Sequence, residues 1–149
     1  MLTFIRTNSE NPYFQKLVTK LDAELKIRDG LDHAFYSQFN KIDTINEVIV
    51  AFEDDTAVGC GAFKSYSENC AEIKRMFVEE SQRGKGIAGE ILDQLEQWAQ
   101  ELNFTKCILE TGINQPEAIR LYSKKGYQVI PNYGQYANVE NSVCFEKVL

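Results

Sequence analysis

Between Gln82 and Gly89 the chain reads Gln-Arg-Gly-Lys-Gly-Ile-Ala-Gly, a glycine-rich loop that follows an apolar run and opens an amphipathic one. Glycine lets backbone N–H groups come close to a ligand, and the first amides of a helix lack intrahelical acceptors while the helix dipole puts its positive end there. Such a point binds an anion. Arg83 and Lys85 flank the exposed amides as phosphate partners would. Read literally, Gly84 to Gly89 spells the dinucleotide fingerprint GxGxxG, with Glu110 after the next strand where a ribose-binding acid would sit. In a dinucleotide-binding domain, however, the first glycine follows its strand almost directly and opens a mostly parallel sheet. Here Glu79 to Arg83 intervene and hairpins come first. A Walker A loop is excluded because Lys85 is followed by neither Ser nor Thr.

Other reactive residue types point away from metal or thiol chemistry. Cys60, Cys70, Cys107 and Cys144 show no CxxC or zinc-ligand spacing, and three of them lie in apolar strand-like runs, so they read as reduced core thiols. The single His33, near Phe35 and Tyr36, cannot build a His-rich site, and no metal is expected. A formal net charge of −6 argues against nucleic-acid or anionic-membrane partners, because counterion release needs a basic face. A cationic amine meets less resistance. No window reads as a transmembrane span and Met1–Arg6 is too short for a signal peptide, so a soluble cytoplasmic protein is expected. The length of 149 residues suits one domain, residues 1–149, with a core that needs no disulfides.

The elements around the loop follow from periodicity. Asn11-Pro12 reads as an N-cap and first-turn proline, and Phe14, Leu17, Val18, Leu21 and Leu25 recur at helical spacing until Gly30. A shorter helical piece is expected over 32–39 and a polar run over 40–46. Val48–Phe52, Ala57–Lys64 and Ala71–Val78 read as a three-stranded antiparallel meander, with Gly59 and Gly61 marking a bulge or close packing. After the loop, Ile87, Ile91, Leu92, Leu95, Trp98, Ala99 and Leu102 share a helix face that must pack on the sheet. Lys106–Thr111 is the next strand, which makes a βαβ unit with two adjacent parallel strands. A helix from Pro116 to Lys125 ends at Gly126, and Tyr127–Ile130 and Val143–Val148 close the sheet.

Arg83-Gly84-Lys85-Gly86-Ile87-Ala88 fits the [Q/R]xxGx[G/A] loop of the GNAT superfamily of N-acetyltransferases, and Ala71–Val78 looks like that family's fourth strand. Pro116–Tyr127 resembles its later helix, with a tyrosine at Tyr122 and the ending Lys-x-Gly-[Phe/Tyr]. The motifs lie in family order and the resemblance spans essentially the whole chain. It implies an α/β fold with a mixed, mostly antiparallel central sheet flanked by helices and one parallel βαβ unit at the cofactor loop. It also implies that acetyl-CoA is the co-substrate, its pyrophosphate held by main-chain amides of Arg83, Gly84, Lys85, Gly86, Ile87 and Ala88. Family geometry parts the fourth and fifth strands at a bulge, so that pantetheine pairs near Met76, Phe77 and Val78 and an amide there polarises the thioester carbonyl. By the same resemblance Glu72 stands where a general base often lies, with pairing to Lys74 as its structural alternative. Tyr122 matches the tyrosine that protonates the departing thiolate. Where the family has Asn before the helix this chain has Gln115, with Asn114 adjacent, and either amide is a candidate for the pantetheine arm.

The reaction this implies is acetyl transfer from acetyl-CoA to a primary amine of a small molecule or peptide by direct attack, since no nucleophile motif accompanies the thiols. A non-catalytic acyl-CoA-binding module is the rival, and a nucleotide-binding oxidoreductase a distant third. Acids at Asp22, Glu24, Asp29 and Asp32 and aromatics at Phe35, Tyr36, Tyr133 and Tyr136 are expected to flank the acceptor, either as substrate guides or as solvated and packing residues. The acceptor's identity and the oligomeric state, a homodimer included, are left open.

Overall fold

Asn11 opens helix α1 (Pro12–Asp29) by accepting from the amides of Tyr13 and Phe14 at 3.0 and 3.1 Å, with Pro12 in the first turn where no donor is needed. The computed structural model describes residues 1–30 and 44–149. The expected short helix over 32–39, with His33, Phe35, Tyr36 and Asp32, lies outside the described residues, as does the side chain of Asp29.

The chain continues through β1 (Leu2–Thr7, before α1), β2 (Glu47–Glu53), β3 (Thr56–Ser67), β4 (Cys70–Val78), α2 (Ile87–Glu101), β5 (Lys106–Gly112), α3 (Pro116–Lys124), β6 (Gln128–Ile130) and β7 (Ser142–Val148). Among the described residues these strands form one sheet in the order β1-β2-β3-β4-β5-β7-β6. Only β4 and β5 run parallel. The meander and the βαβ unit are therefore as expected, and the apolar start of the chain adds a fourth antiparallel strand. The last two strands pair with each other, and β7 inserts between β5 and β6, pairing with β5 along its whole length. Among the described residues no helix is long and apolar enough to cross a membrane.

Strand alternation divides the core between the two faces of the sheet. Val48 and Val50 pack with Phe14, Leu17, Val18 and Leu21 of α1, whereas Ile49 and Ala51 pack with the cluster that holds Ile91, Leu92 and Leu95 of α2. Fully burying side chains such as Phe14 and Ile91 stabilises by about 1.5–3 kcal/mol each. Gly61 lets α2 approach: a Cβ there would lie 2.9 Å from both Ile91 and Leu95 and 2.5 Å from Met76 Sδ. Leu102 departs from the expected helix face. It is 45% exposed because α2 stops at Glu101, and Leu102 caps the helix by donating back to Trp98 and Ala99.

Candidate active site

Two departures from ideal sheet geometry open a cleft. Between Cys60 and Ala62 of β3 the chain advances two residues while β4 advances three, from Lys74 to Phe77. The extra residue is a β-bulge at Arg75, whose φ of 61° lies in the left-handed region. The parallel pairing of β4 with β5 ends at Glu72↔Ile108, so the two strands part beyond that point. The cleft so formed is a cavity of about 380 Å³ that runs from the glycine loop to Glu72 and Tyr122.

At one end the loop is held open by its main chain. Glu79 donates to the Val58 carbonyl at 2.8 Å, a short 3₁₀ turn follows at Glu80–Gln82, and Gly84 and Gly86 take φ of 82° and 80°. Both glycines face open space, with no atom within 4 Å of where a Cβ would stand. The first helical bond of α2 runs from Glu90 N–H to Gly86 C=O, which leaves the amides of Ile87, Ala88 and Gly89 without acceptors inside the helix. Arg83 is placed differently from the phosphate partner expected. Its amide donates to Glu80, its Nε to the Val78 carbonyl, and its two Nη atoms to both oxygens of Glu24 on α1 at 2.8 Å. Lys85 donates to Gln82 and does not line the cavity. Of the two candidate amides, Gln115 lines the cavity, whereas Asn114 donates to the Arg28 carbonyl.

At the far end stand two groups capable of proton transfer. Glu72, 5% exposed, sits at the fork where the strands part; its Oε2 accepts from the Tyr133 hydroxyl at 2.7 Å and its Oε1 lies 3.8 Å from Lys74 Nζ. Tyr122, also buried, lines the cavity from α3. Gly126, at φ 92°, ends that helix in a Schellman motif: Tyr127 N–H reaches the Tyr122 carbonyl and Gly126 N–H that of Ser123. The motif stacks Tyr127 edge-on against Tyr122, with ring centroids 5.8 Å apart, and the Tyr127 hydroxyl is anchored on buried Glu96, which Lys147 also grips. Burial, reinforced by the charge of Glu110, raises the Tyr122 phenol above its ordinary pKa, so it carries its proton throughout the neutral range.

Several residues acquire a place here that sequence reasoning did not assign. Glu110, weighed only as a ribose ligand, lines the cavity, and so do Lys74 and Arg75; Tyr136, expected beside the acceptor, lines it too. Asp22 and Glu24, expected as acceptor-side acids, are engaged by cations, Asp22 by Arg75 and Glu24 by Arg83 and Arg28. Arg28 also pairs with Glu117 at the start of α3, so one ion-pair chain ties α1 to the loop and to α3. None of the four cysteines lines the cavity. All are buried free thiols, and burial pushes Cys60 and Cys107 up to about 12. Among the described residues no cluster of three or more His, Cys, Asp or Glu could hold a metal ion.

The fold and the open helix terminus beside parted parallel strands are those of an acyltransferase. The model of the acetyltransferase (GNAT) family matches residues 10–127, and the chain belongs to that family. It is 36% identical over 102 residues to an IAA acetyltransferase of Azospirillum brasilense, covering 68% of this chain and 67% of the relative. A crystal structure described as that of an acyl-CoA N-acyltransferase from Klebsiella pneumoniae superposes with a TM-score of 0.84 at 30% identity, over 100% of this chain and 98% of the other. A GNAT family acetyltransferase from Elizabethkingia anophelis, crystallised with acetyl-CoA bound, shares the fold at a TM-score of 0.70 and 18% identity, over 99% and 98% of the two chains.

Proposed function

We propose that this chain, as one acetyltransferase domain over residues 1–149, moves the acetyl group of acetyl-CoA to a primary amine of a small molecule or peptide by direct attack. The observation that carries the reading is the continuity of the cavity from the open amides at Ile87–Gly89 to Glu72 and Tyr122. The fit to acetyl-CoA rests on that loop. Positive-φ glycines with open space around them leave room for a pyrophosphate at Gly84 to Ala88, and β4 at Met76, Phe77 and Val78 has no β5 partner, which leaves that edge of the strand open for the pantetheine arm beside Gln115. When bound, acetyl-CoA supplies an activated thioester. Arg83 then acts as a brace, its side chain spent on Glu24 and Val78, and the Lys85 side chain is turned to Gln82.

Glu72 takes the proton that the acceptor ammonium must lose before its nitrogen can form the new C–N bond, and Tyr133 holds the carboxylate in place. Tyr122 donates to the sulfur as the C–S bond breaks. Its side chain lines the cavity in which the leaving group would lie. A phenol with a raised pKa contributes chiefly by hydrogen bonding to the developing thiolate, whose ordinary pKa near 8.5 is lower. The buried cysteines away from the cavity favour direct attack over an acyl-enzyme. A thiol-release assay over polyamines, amino acids, aminoglycosides and peptide amines tests the reading: release with at least one class supports it. Acetyl-CoA binding with no release across all of them would leave an acyl-CoA-binding module.

A further inference from the structure

The acceptor half of the cavity carries two cations whose hydrogen-bonding capacity is unfilled. Regular strand alternation would send Lys74 and Arg75 to opposite faces of the sheet, but the bulge turns Arg75 onto the α1 face, and both line the cavity. The Arg75 side chain is 3% exposed. One Nη donates to Asp22 at 2.8 Å, while the other is buried with no hydrogen-bond partner among the described residues. Leaving such a donor dry is unfavourable, and so is a non-glycine residue at positive φ. Lys74, 12% exposed, has Glu72 at 3.8 Å, beyond hydrogen-bond reach, as its ion-pair partner among the described residues. Burial lowers its ammonium pKa against the raising charge of Glu72, and the positive field of Lys64 and Arg75 adds to the lowering. The other cavity cations, Arg28 and Arg83, are each bound to glutamates.

A ligand carboxylate is the group that would fill both vacancies. Resting on the reading of Glu72 as base, we propose that the acceptor is an amino acid, whose amine faces Glu72 and whose carboxylate is held by Lys74 and Arg75. The 3.8 Å between Glu72 Oε1 and Lys74 Nζ suits a molecule with its amine and carboxylate close together. A phosphate dianion in the same place would meet the added repulsion of Glu72 and Glu110, both on the cavity wall.

The test is the rate of CoA release with the twenty L-amino acids, β-alanine and γ-aminobutyrate, each against its carboxamide and its decarboxylated amine, with phosphoethanolamine as the phosphate arm. The proposal expects kcat/KM for the best acid to exceed that of its carboxamide by about tenfold or more, mainly through KM. It also expects that acid-to-amide ratio to fall toward one in Lys74→Met and in Arg75→Met. Lys74 lies outside the bulge, so its variant decides the matter if Arg75→Met does not fold. Amides, plain amines or phosphoethanolamine used as well as the acids would overturn the proposal, and so would a ratio unchanged in Lys74→Met. If no amine at all releases CoA, the transfer reading fails separately. Calorimetric titration of the same acids and amides into the CoA-saturated protein then decides: acid binding weakened in Lys74→Met supports the carboxylate site, and equal binding of acids and amides overturns it.

Discussion

The two ends of the cavity are built from different parts of the polypeptide. The end at Gly84–Gly89 presents main chain: left-handed glycines and the first amides of α2, with nearby charged side chains turned to Glu24 and Gln82. The end at Glu72 presents side chains from β4, α3 and the segment before β7, held by one another. Main-chain donors suit the part of a ligand that is the same in every turnover, because any sequence that keeps the backbone path keeps them. Side chains suit the part that differs between substrates, since single substitutions change them without disturbing the loop. In an acetyl-CoA-dependent family the first part would be the co-substrate and the second the acceptor.

The sharpest way to break that division is at the proton-transfer groups. Tyr122→Phe should lower kcat by about a hundredfold or more while the KM for acetyl-CoA moves little; single-turnover rates equal to wild type would end its role as proton donor. Glu72→Gln should cost a similar factor and most where the amine is charged, so the deficit shrinks as pH rises toward the amine's pKa. A pH–rate profile parallel to wild type would remove Glu72 as base.

The next largest effect should fall at the other end with the opposite signature. Gly86→Val forces a β-branched residue to φ 80°, a strain of about 1–2 kcal/mol or more, and should raise the acetyl-CoA KM about tenfold with a smaller change in kcat. Equal losses in both parameters would blur the contrast. Tyr133→Phe removes the 2.7 Å bond to Glu72 and should lower kcat severalfold, as a lost hydrogen bond of about 1 kcal/mol implies, without touching acetyl-CoA binding.

The smallest effect concerns the brace between the two ends. The Arg83 guanidinium holds the Glu24 carboxyl below its usual pKa, so the pair stabilises the fold above the ordinary carboxylate value of 4.5, and that stability is lost as pH falls through the lower folded value. Both groups are about one-third exposed, so solvent screening limits the gain to about 1 kcal/mol or less. Glu24→Gln should therefore melt slightly earlier than wild type at pH 7, with the difference closing in acid, as thermal denaturation at several pH values would register.

Local signals were legible where their cause is local. The cap at Asn11, the glycines of the loop and the Gly126 terminus each depend on a few adjacent residues, so they read correctly from the chain. Leu102 misled because periodicity marks a face but not the residue at which the helix stops. The bulge at Arg75 was hinted at by Gly59 and Gly61 on the neighbouring strand and by the family resemblance, but nothing local identifies which residue of β4 is the extra one. The contacts Tyr133–Glu72 and Arg83–Glu24 join residues 61 and 59 positions apart, beyond any periodicity.

By itself the sequence determined the glycine loop ahead of α2, the helix that carries Tyr122 and the succession of strands from β2 onward along the chain, because backbone conformation and amphipathic period are written in neighbouring residues. Only the tertiary structure decided that β7 enters between β5 and β6, that β4 and β5 part after Glu72, and that Lys74 and Arg75 reach the same cavity. Those outcomes depend on register between distant strands, where one extra residue in β4 reverses the face on which a side chain emerges.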